Sequence, residues 1–157
     1  MVAAAHSFAP DEELVLTRVI NAPPALVFEL WTTPEHLTHW FGPKDFVLPT
    51  CEVDFRVGGK YRFCMRAPDG TDWWVEGTYQ EIVEPSRIVF TWERVNAAGE
   101  PWVTSVVTIT IAAQAHQTLL TLQHAPFSTV KDRDDHVGGW SECFERLAAF
   151  AERATNG

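Results

Sequence analysis

Two side chains in this sequence are candidate general bases that a strand could direct toward the interior. The first is His124, which follows Leu120 and Leu122 at intervals of two residues. Alternate residues of a strand point to the same face, so the imidazole points inward if the two leucines are core. An inward histidine either takes a proton from a substrate or is a hydrogen-bonded core residue, and the second outcome is the commoner one.

The second candidate base is Glu76. It shares one face of the predicted strand Trp73 to Val83 with Trp74, while Val75 and Tyr79 share the other face. Both faces carry apolar residues, so the pattern does not decide which one points inward. A buried carboxylate without a partner is costly, which favours a solvent-exposed Glu76.

The sequence carries no signature of metal, nucleotide or nucleophile chemistry. It has no G-x-S-x-G, H-E-x-x-H, P-loop or G-x-G-x-x-G pattern. His36 and His39 could share a face of a short helix, but no third ligand is suggested. Cys51, Cys64 and Cys143 are far apart and odd in number, which predicts reduced thiols. We therefore expect neither a metal nor a cofactor.

The elements that must position these residues follow a clear order. A β-rich segment, Leu14 to Ile20, precedes two short helical patterns, Ala25 to Trp31 and Glu35 to His39, each introduced by proline. Alternating apolar and polar residues from Thr50 to His124 then predict an antiparallel meander with turns between the strands. The order predicts an α+β layout in which the sheet curls over a final helix.

The final helix is long and amphipathic. Its apolar residues are spaced three or four apart, at Val137, Trp140, Phe144, Leu147 and Ala151. Asp132 and the acidic residues after it suit the positive end of the helix dipole. The pair Gly138-Gly139 costs about 1 kcal/mol per glycine relative to alanine within a helix, so we expect a close backbone approach there.

Length and charge limit the function classes. A chain of 157 residues has the size of one domain, and we expect residues 1–12 to be flexible and 13–155 to form that domain. The net charge of -9, with no cluster of its 12 Lys and Arg residues, argues against nucleic-acid and membrane-surface partners. No apolar run has the length of a membrane span and no secretion signal is evident. We expect a soluble, cytoplasmic protein.

Five stretches of the chain resemble a known superfamily in their order and spacing. They are RVINAPPALVFELWTTPEHLTHWFGP, VGGKYRFCMRAPDG, EGTYQEIVEPSRIVFTWE, TLLTLQHAPF and GGWSECFERL. They are similar to the START-like or SRPBCC superfamily, and within it to the activator of 90-kDa heat-shock-protein ATPase homologue type, from about Leu14 to Arg153. The resemblance implies a helix-grip fold, in which a curved antiparallel sheet of about six to seven strands wraps a long C-terminal helix, with two short helices after the first strand.

The resemblance also implies a cavity between the sheet and the C-terminal helix. We expect Trp40 and Phe41 at its mouth and Arg94 at its rim, with His124 as an inward polar group. The other expected ligand-binding residues are aromatic: Phe63, Trp74, Phe90, Trp92, Trp140 and Phe144. The alternative is that these rings pack into a solid core, as aromatic stripes usually do.

Three functions follow from these expectations. The first is the binding of a small hydrophobic or aromatic molecule in the cavity. The second is an enzyme of cyclase, dehydratase or hydrolase type, with His124 or Glu76 as general base. The third, implied by the resemblance, is a co-chaperone-like module that contacts a chaperone. Edge strands and Trp102 also allow a homodimer.

Overall fold

The computed structural model describes residues 8–95 and 101–156. Of the predicted flexible residues 1–12, residues 1–7 lie outside this part, and Pro10–Glu12 form one turn of 3-10 helix. The strands are β1 (Leu14–Ile20), β2 (Val47–Val53), β3 (Lys60–Arg66), β4 (Asp72–Val83), β5 (Arg87–Val95), β6 (Pro101–Gln114) and β7 (Gln117–Ala125). The α-helices are α1 (Pro24–Glu29), α2 (Pro34–Trp40) and α3 (Val130–Asn156).

All seven strands belong to one antiparallel sheet in the order β1-β7-β6-β5-β4-β3-β2. The register shifts between Tyr79 and Glu81 of β4 and again near the end of β5. Such irregularities are bulges, which bend a strand and increase its twist. The predicted α+β layout, with two short helices after the first strand and a long helix at the end, is confirmed.

The two short helices begin where proline is tolerated. Pro24 and Pro34 each occupy the first helical turn, where the missing backbone N–H would have had no partner in any case. α1 ends at Glu29, so Trp31 follows the helix instead of belonging to it. Thr33 precedes α2 at the capping position without a capping hydrogen bond from its side chain.

One end of the interior is packed with aromatic rings. Trp31 lies edge-on to Trp40 with ring centroids 4.7 Å apart, and edge-on to Phe144 of α3 at 6.4 Å. Trp40 has no exposed surface, and its indole N–H donates to the carbonyl of Leu30 at 3.0 Å. The space between Trp31, Phe63 and Phe90 is about 10 Å³, no more than the minimum that one water molecule needs. This region is solid core.

β4 resolves the choice between its two faces. Val75 and Tyr79 are buried, whereas the side chain of Glu76 is 41% exposed and lies 3.9 Å from Arg62 of β3. The exposed position of Glu76 favoured by the sequence is therefore the observed one. Burial of the apolar side chains of Val75 and Tyr79 is favourable, whereas Glu76 is more stable where water can solvate it.

The glycine pair in α3 does not have the expected cause. A Cβ atom added at Gly138 would have no neighbour within 4 Å, and one at Gly139 would meet only Pro43, at 3.6 Å. The prediction of a close backbone approach at this pair was wrong, since 3.6 Å is an ordinary van der Waals contact. α3 also begins earlier than its apolar pattern indicates, at Val130.

Within residues 8–95 and 101–156, every helix is too short or too polar to cross a bilayer. The side chain of Trp102, on which the predicted dimer partly depends, lies outside the described residues.

Candidate functional site

A cavity of about 660 Å³ lies between the N-terminal half of α3 and the facing ends of β3, β4 and β5. The segment 41–46, which follows α2, forms another wall. Trp73, whose surface is 56% exposed, borders the cavity, which therefore opens to solvent at that end. The interior is thus filled at one end and hollow at the other.

The segment 41–46 is fixed to α3 by hydrogen bonds. One terminal nitrogen of Arg146, Nη1, donates to the carbonyls of Gly42, Pro43 and Phe46 at 3.1, 2.9 and 3.2 Å. Gly42 has a φ of 110°, a backbone conformation that residues with a Cβ atom rarely adopt. These contacts set the position of the cavity wall relative to the helix.

Three aromatic residues from different elements line the cavity and contact one another. Phe41 lies 5.9 Å from Trp140 of α3 and 6.3 Å from Trp92 of β5, measured between ring centroids. Trp92 and Trp140 are 5.2 Å apart. Phe46 and Met65 add further apolar surface. This wall can bury an apolar or aromatic ligand.

The polar wall consists of Arg94, Asp132 and His136. The guanidinium of Arg94 donates to both carboxylate oxygens of Asp132, at 2.9 and 2.7 Å, which ties β5 to α3. Burial alone would raise the pKa of Asp132, but the hydrogen bonds and charge of Arg94 outweigh burial and lower it. The carboxylate is therefore ionised, and its charge is paired.

His136 follows Asp132 by one helical turn. Its Nδ1 lies 2.9 Å from the backbone carbonyl oxygen of Asp132 and 3.6 Å from the carboxylate. Burial lowers the pKa of His136 below its ordinary value of 6.5, and the nearby positive charge of Arg94 adds to that effect. At neutral pH the imidazole is uncharged.

His124 lies behind the cavity wall and holds it in place. The indole N–H of Trp140 donates to Nδ1 at 3.1 Å, and Nε2 lies 2.7 Å from the hydroxyl of Ser105. An indole only donates, so Nδ1 is the acceptor and Nε2 carries the proton. Burial lowers the pKa of His124 well below its ordinary value, with the adjacent His136 and Arg94 lowering it further. The predicted inward direction is observed, and both ring nitrogens are in use.

The cavity brings together half of the residues expected to bind a ligand. Those that border it are Phe41, Trp74, Trp92, Arg94 and Trp140. The others, which do not border it, are Trp40, Phe63, Phe90, His124 and Phe144.

The side chains of Trp74 and Glu76 share the outer face of β4, although Trp74 also borders the cavity near the start of the strand. The ring of Trp74 lies under the guanidinium of Arg62, 4.1 Å from the ring centroid. Arg62 also pairs with Glu76. Glu76 does not border the cavity.

Sequence reasoning predicts Arg94 at the rim of the cavity but misses Asp132 and His136, although the sequence contains a signal for both. Asp132, His136 and Trp140 are spaced four residues apart, so they share one face of α3. Extending the apolar face backward from Trp140 would have found His136. The helix dipole alone accounts for Asp132 in the sequence and does not predict its pairing with Arg94.

The described residues contain no group of three ligands that could hold a metal ion.

The three cysteines form no disulfide, as predicted. Burial raises the pKa of Cys51 to about 11 and that of Cys143 to about 12, so these thiols stay protonated and unreactive at neutral pH. Cys143 borders the cavity and accepts a hydrogen bond from the backbone N–H of Gly42.

Solved bacterial structures share this fold along nearly the whole chain. A protein from Nitrosomonas europaea has a TM-score of 0.80 at 24% identity and covers 96% of this chain and 100% of its own. A protein from Chromobacterium violaceum has a TM-score of 0.80 at 29% identity, covering 90% and 97%. The AHSA1 protein of Silicibacter pomeroyi has a TM-score of 0.80 at 22% identity, covering 92% and 99%.

Sequence comparison gives the family. Among proteins with curated descriptions none matches the chain significantly. The model of one family, the Activator of Hsp90 ATPase homolog 1-like proteins, matches residues 21–152, which include the whole cavity wall. This chain belongs to the family of Activator of Hsp90 ATPase homolog 1-like proteins.

Proposed function

We propose that this protein binds a small, mostly apolar or aromatic molecule in the cavity beside α3. The observation that carries the proposal is the 660 Å³ space with rings from Phe41, Trp92 and Trp140 on its wall. Pockets that hold small molecules typically measure about 300–1,000 Å³ and are mainly apolar, with a few polar groups. The cavity has that size and that composition.

The binding energy would come chiefly from burial of the ligand. Burial of about 200 Å² of apolar surface contributes roughly 5 kcal/mol before the entropic cost of association is subtracted. The rings are held before any ligand arrives, because Arg146 fixes the segment 41–46 and His124 fixes Trp140. A preformed wall lowers the ordering cost of binding.

The catalytic alternative loses its two proposed bases. His124 uses both ring nitrogens inside the protein, and Glu76 lies on the outer face of β4. A general base must reach the proton it abstracts. The co-chaperone-like role, the cytoplasmic location, the absence of nucleic-acid and membrane partners and the homodimer all stay predictions.

The test uses two glycines that are adjacent on α3. Gly139 borders the cavity, whereas Gly138 is exposed and would have open space around a side chain. We expect 4-cyclohexylanisole, a neutral probe, to change the tryptophan emission of the wild-type protein saturably and to raise its melting temperature. Gly139→Leu should weaken this binding about tenfold or more by occupying the cavity, and Gly138→Leu should not.

Circular dichroism of both variants shows whether the fold is intact. A flat titration of the wild-type protein with this probe and with a panel of flavonoids and fatty acids would overturn the proposal. Equal binding by the two leucine variants would overturn the location of the site.

A further inference from the structure

His136 borders the cavity, and its two ring nitrogens have different surroundings. The Nδ1 atom of the same ring lies beside two oxygens of Asp132, its backbone carbonyl at 2.9 Å and its carboxylate at 3.6 Å. A carbonyl or an ionised carboxylate only accepts hydrogen bonds, so Nδ1 must carry the proton. The lone pair of the neutral ring is therefore on Nε2.

Nε2 has no protein partner in the part of the chain that the structure describes. Nε2 is not fully buried, whereas the indole nitrogen of Trp92 is fully buried and has no hydrogen-bond partner among the described residues. His136 borders the cavity, and its other neighbours are rings: Trp92, His124 and Phe127, at 6.4, 5.3 and 4.9 Å between centroids. The cavity wall thus contains one neutral acceptor, next to apolar rings.

The other polar groups of the wall are already paired. Arg94 and Asp132 neutralise each other through two hydrogen bonds. Asp72 is paired with Arg66 and Asp135 with Lys131, at 2.7 and 2.9 Å. A ligand carboxylate would meet no unneutralised cation among these groups, and the chain as a whole carries a net charge of -9. An anionic ligand is therefore disfavoured.

We propose that the ligand of this cavity carries a hydroxyl group, phenolic or enolic, that donates a hydrogen bond to Nε2 of His136, while its apolar body contacts Phe41, Trp92 and Trp140. This inference rests on the proposed function and names the chemical class of the ligand. His136 is the specificity residue, because a ligand that covers Nε2 without donating to it leaves a buried acceptor unpaired.

The test compares two probes of similar shape in each protein. 4-Cyclohexylphenol can donate a hydrogen bond, whereas 4-cyclohexylanisole, its methyl ether, cannot. We expect the wild-type protein to bind the phenol about fivefold more tightly than the ether, which is the usual worth of one hydrogen bond. His136→Phe removes the acceptor, so the ratio should fall to about one. The exposed control His116→Phe should keep the wild-type ratio.

The pH dependence gives a second readout that needs no variant. Protonation of His136 turns Nε2 into a donor, so the preference for the phenol should disappear as the pH falls below the pKa of His136, which is under 6.5. The titratable and charged groups facing the ring are Asp132 and Asp135 on α3, Arg94 on β5 and His124 on β7. His124 stays neutral over this range, because burial lowers its own pKa further.

The outcomes separate the two proposals. If the wild-type protein binds neither probe and no member of the flavonoid and fatty-acid panel, the cavity is not a binding site and both proposals fail. If it binds members of the panel but neither probe, the cavity binds ligands and the selection by His136 fails. If it binds both probes equally at neutral pH, or if the preference for the phenol persists at acid pH and in His136→Phe, the cavity binds ligands but His136 does not select them. If His136→Phe does not fold, the pH titration of the wild-type protein decides.

Discussion

At the scale of single residues, the two inward histidines differ in what their second nitrogen meets. His124 accepts a hydrogen bond from Trp140 and donates one to Ser105, so neither ring nitrogen is available to a ligand. His136 donates to a backbone carbonyl and leaves its other nitrogen to the cavity. Both rings are neutral for the same reason, burial, yet only one of them can contact a ligand.

Replacement of His124 tests its structural role. His124→Phe keeps a ring of similar size but leaves the indole N–H of Trp140 and the hydroxyl of Ser105 without this partner. We expect the free energy of unfolding to fall by about 1–3 kcal/mol, the cost of one buried polar group left unpaired, because Ser105 keeps its hydrogen bond to the carbonyl of Trp92 at 3.4 Å. Urea unfolding of the variant and of the wild-type protein measures this difference in the free energy of unfolding. His116→Phe on the exposed β6–β7 turn is the control, and equal stability of the two variants would contradict the role of His124.

At the scale of elements, α3 serves two purposes along its length. Its later turns place Phe144 against Trp31 in the solid core. Its first turns place Asp132, His136 and Trp140 along the cavity. The sheet has a matching division, because Phe90 of β5 lies in the core while Arg94 of the same strand pairs with Asp132 at the cavity.

Two glycines in these elements should respond oppositely to alanine. Gly138→Ala adds a methyl group in open space within a helix and should raise the free energy of unfolding by about 1 kcal/mol. Gly77→Ala in β4 would collide with the backbone carbonyl of Thr91 in β5 and with the ring of Tyr61, 2.7 Å away. That variant should lose about 3 kcal/mol or more, because backbone must shift. Chemical unfolding of both compares them directly, and a tolerated Gly77→Ala would show that the two strands are less closely joined than described.

At the scale of the whole molecule, the buried histidines link stability to pH. Both have pKa values in the folded protein below the ordinary 6.5, so the unfolded chain binds more protons as the solution is acidified. Their contribution to stability is complete above pH 6.5 and is lost as the pH falls below it. Asp132 acts in the same direction at lower pH, since its pKa is below the ordinary 3.8.

We therefore expect the free energy of unfolding to decrease on acidification from neutral pH, with a limiting slope of about 1.4 kcal/mol per pH unit for each histidine. Urea unfolding at a series of pH values measures the slope. His124→Phe should have a shallower slope than the wild-type protein, and His116→Phe should have the same slope. A wild-type curve that is flat between neutral pH and the range of the carboxylates would contradict neutral, buried histidines.

The sequence by itself determined the elements and the faces that are set by local periodicity. The inward direction of Leu120, Leu122 and His124 follows from the two-residue repeat of a strand, and the apolar face of α3 from the spacing of Trp140 and Phe144. The order and spacing of the motifs also predicted the superfamily and its helix-grip fold. These properties depend on neighbours along the chain, which the sequence contains.

Only the tertiary structure decided which aromatic residues border a space and which fill one. Trp40 and Phe41 are adjacent in sequence, yet Trp40 is buried against Trp31 while Phe41 borders the cavity, because the chain leaves α2 between them. The partners of His124, Ser105 and Trp140, come from other elements of the chain. The cavity beside His136 lies between α3 and the ends of β3, β4 and β5, which are distant from it in sequence. A cavity forms where segments that are distant in sequence fail to pack against each other, and the local periodicity of a sequence does not depend on such contacts.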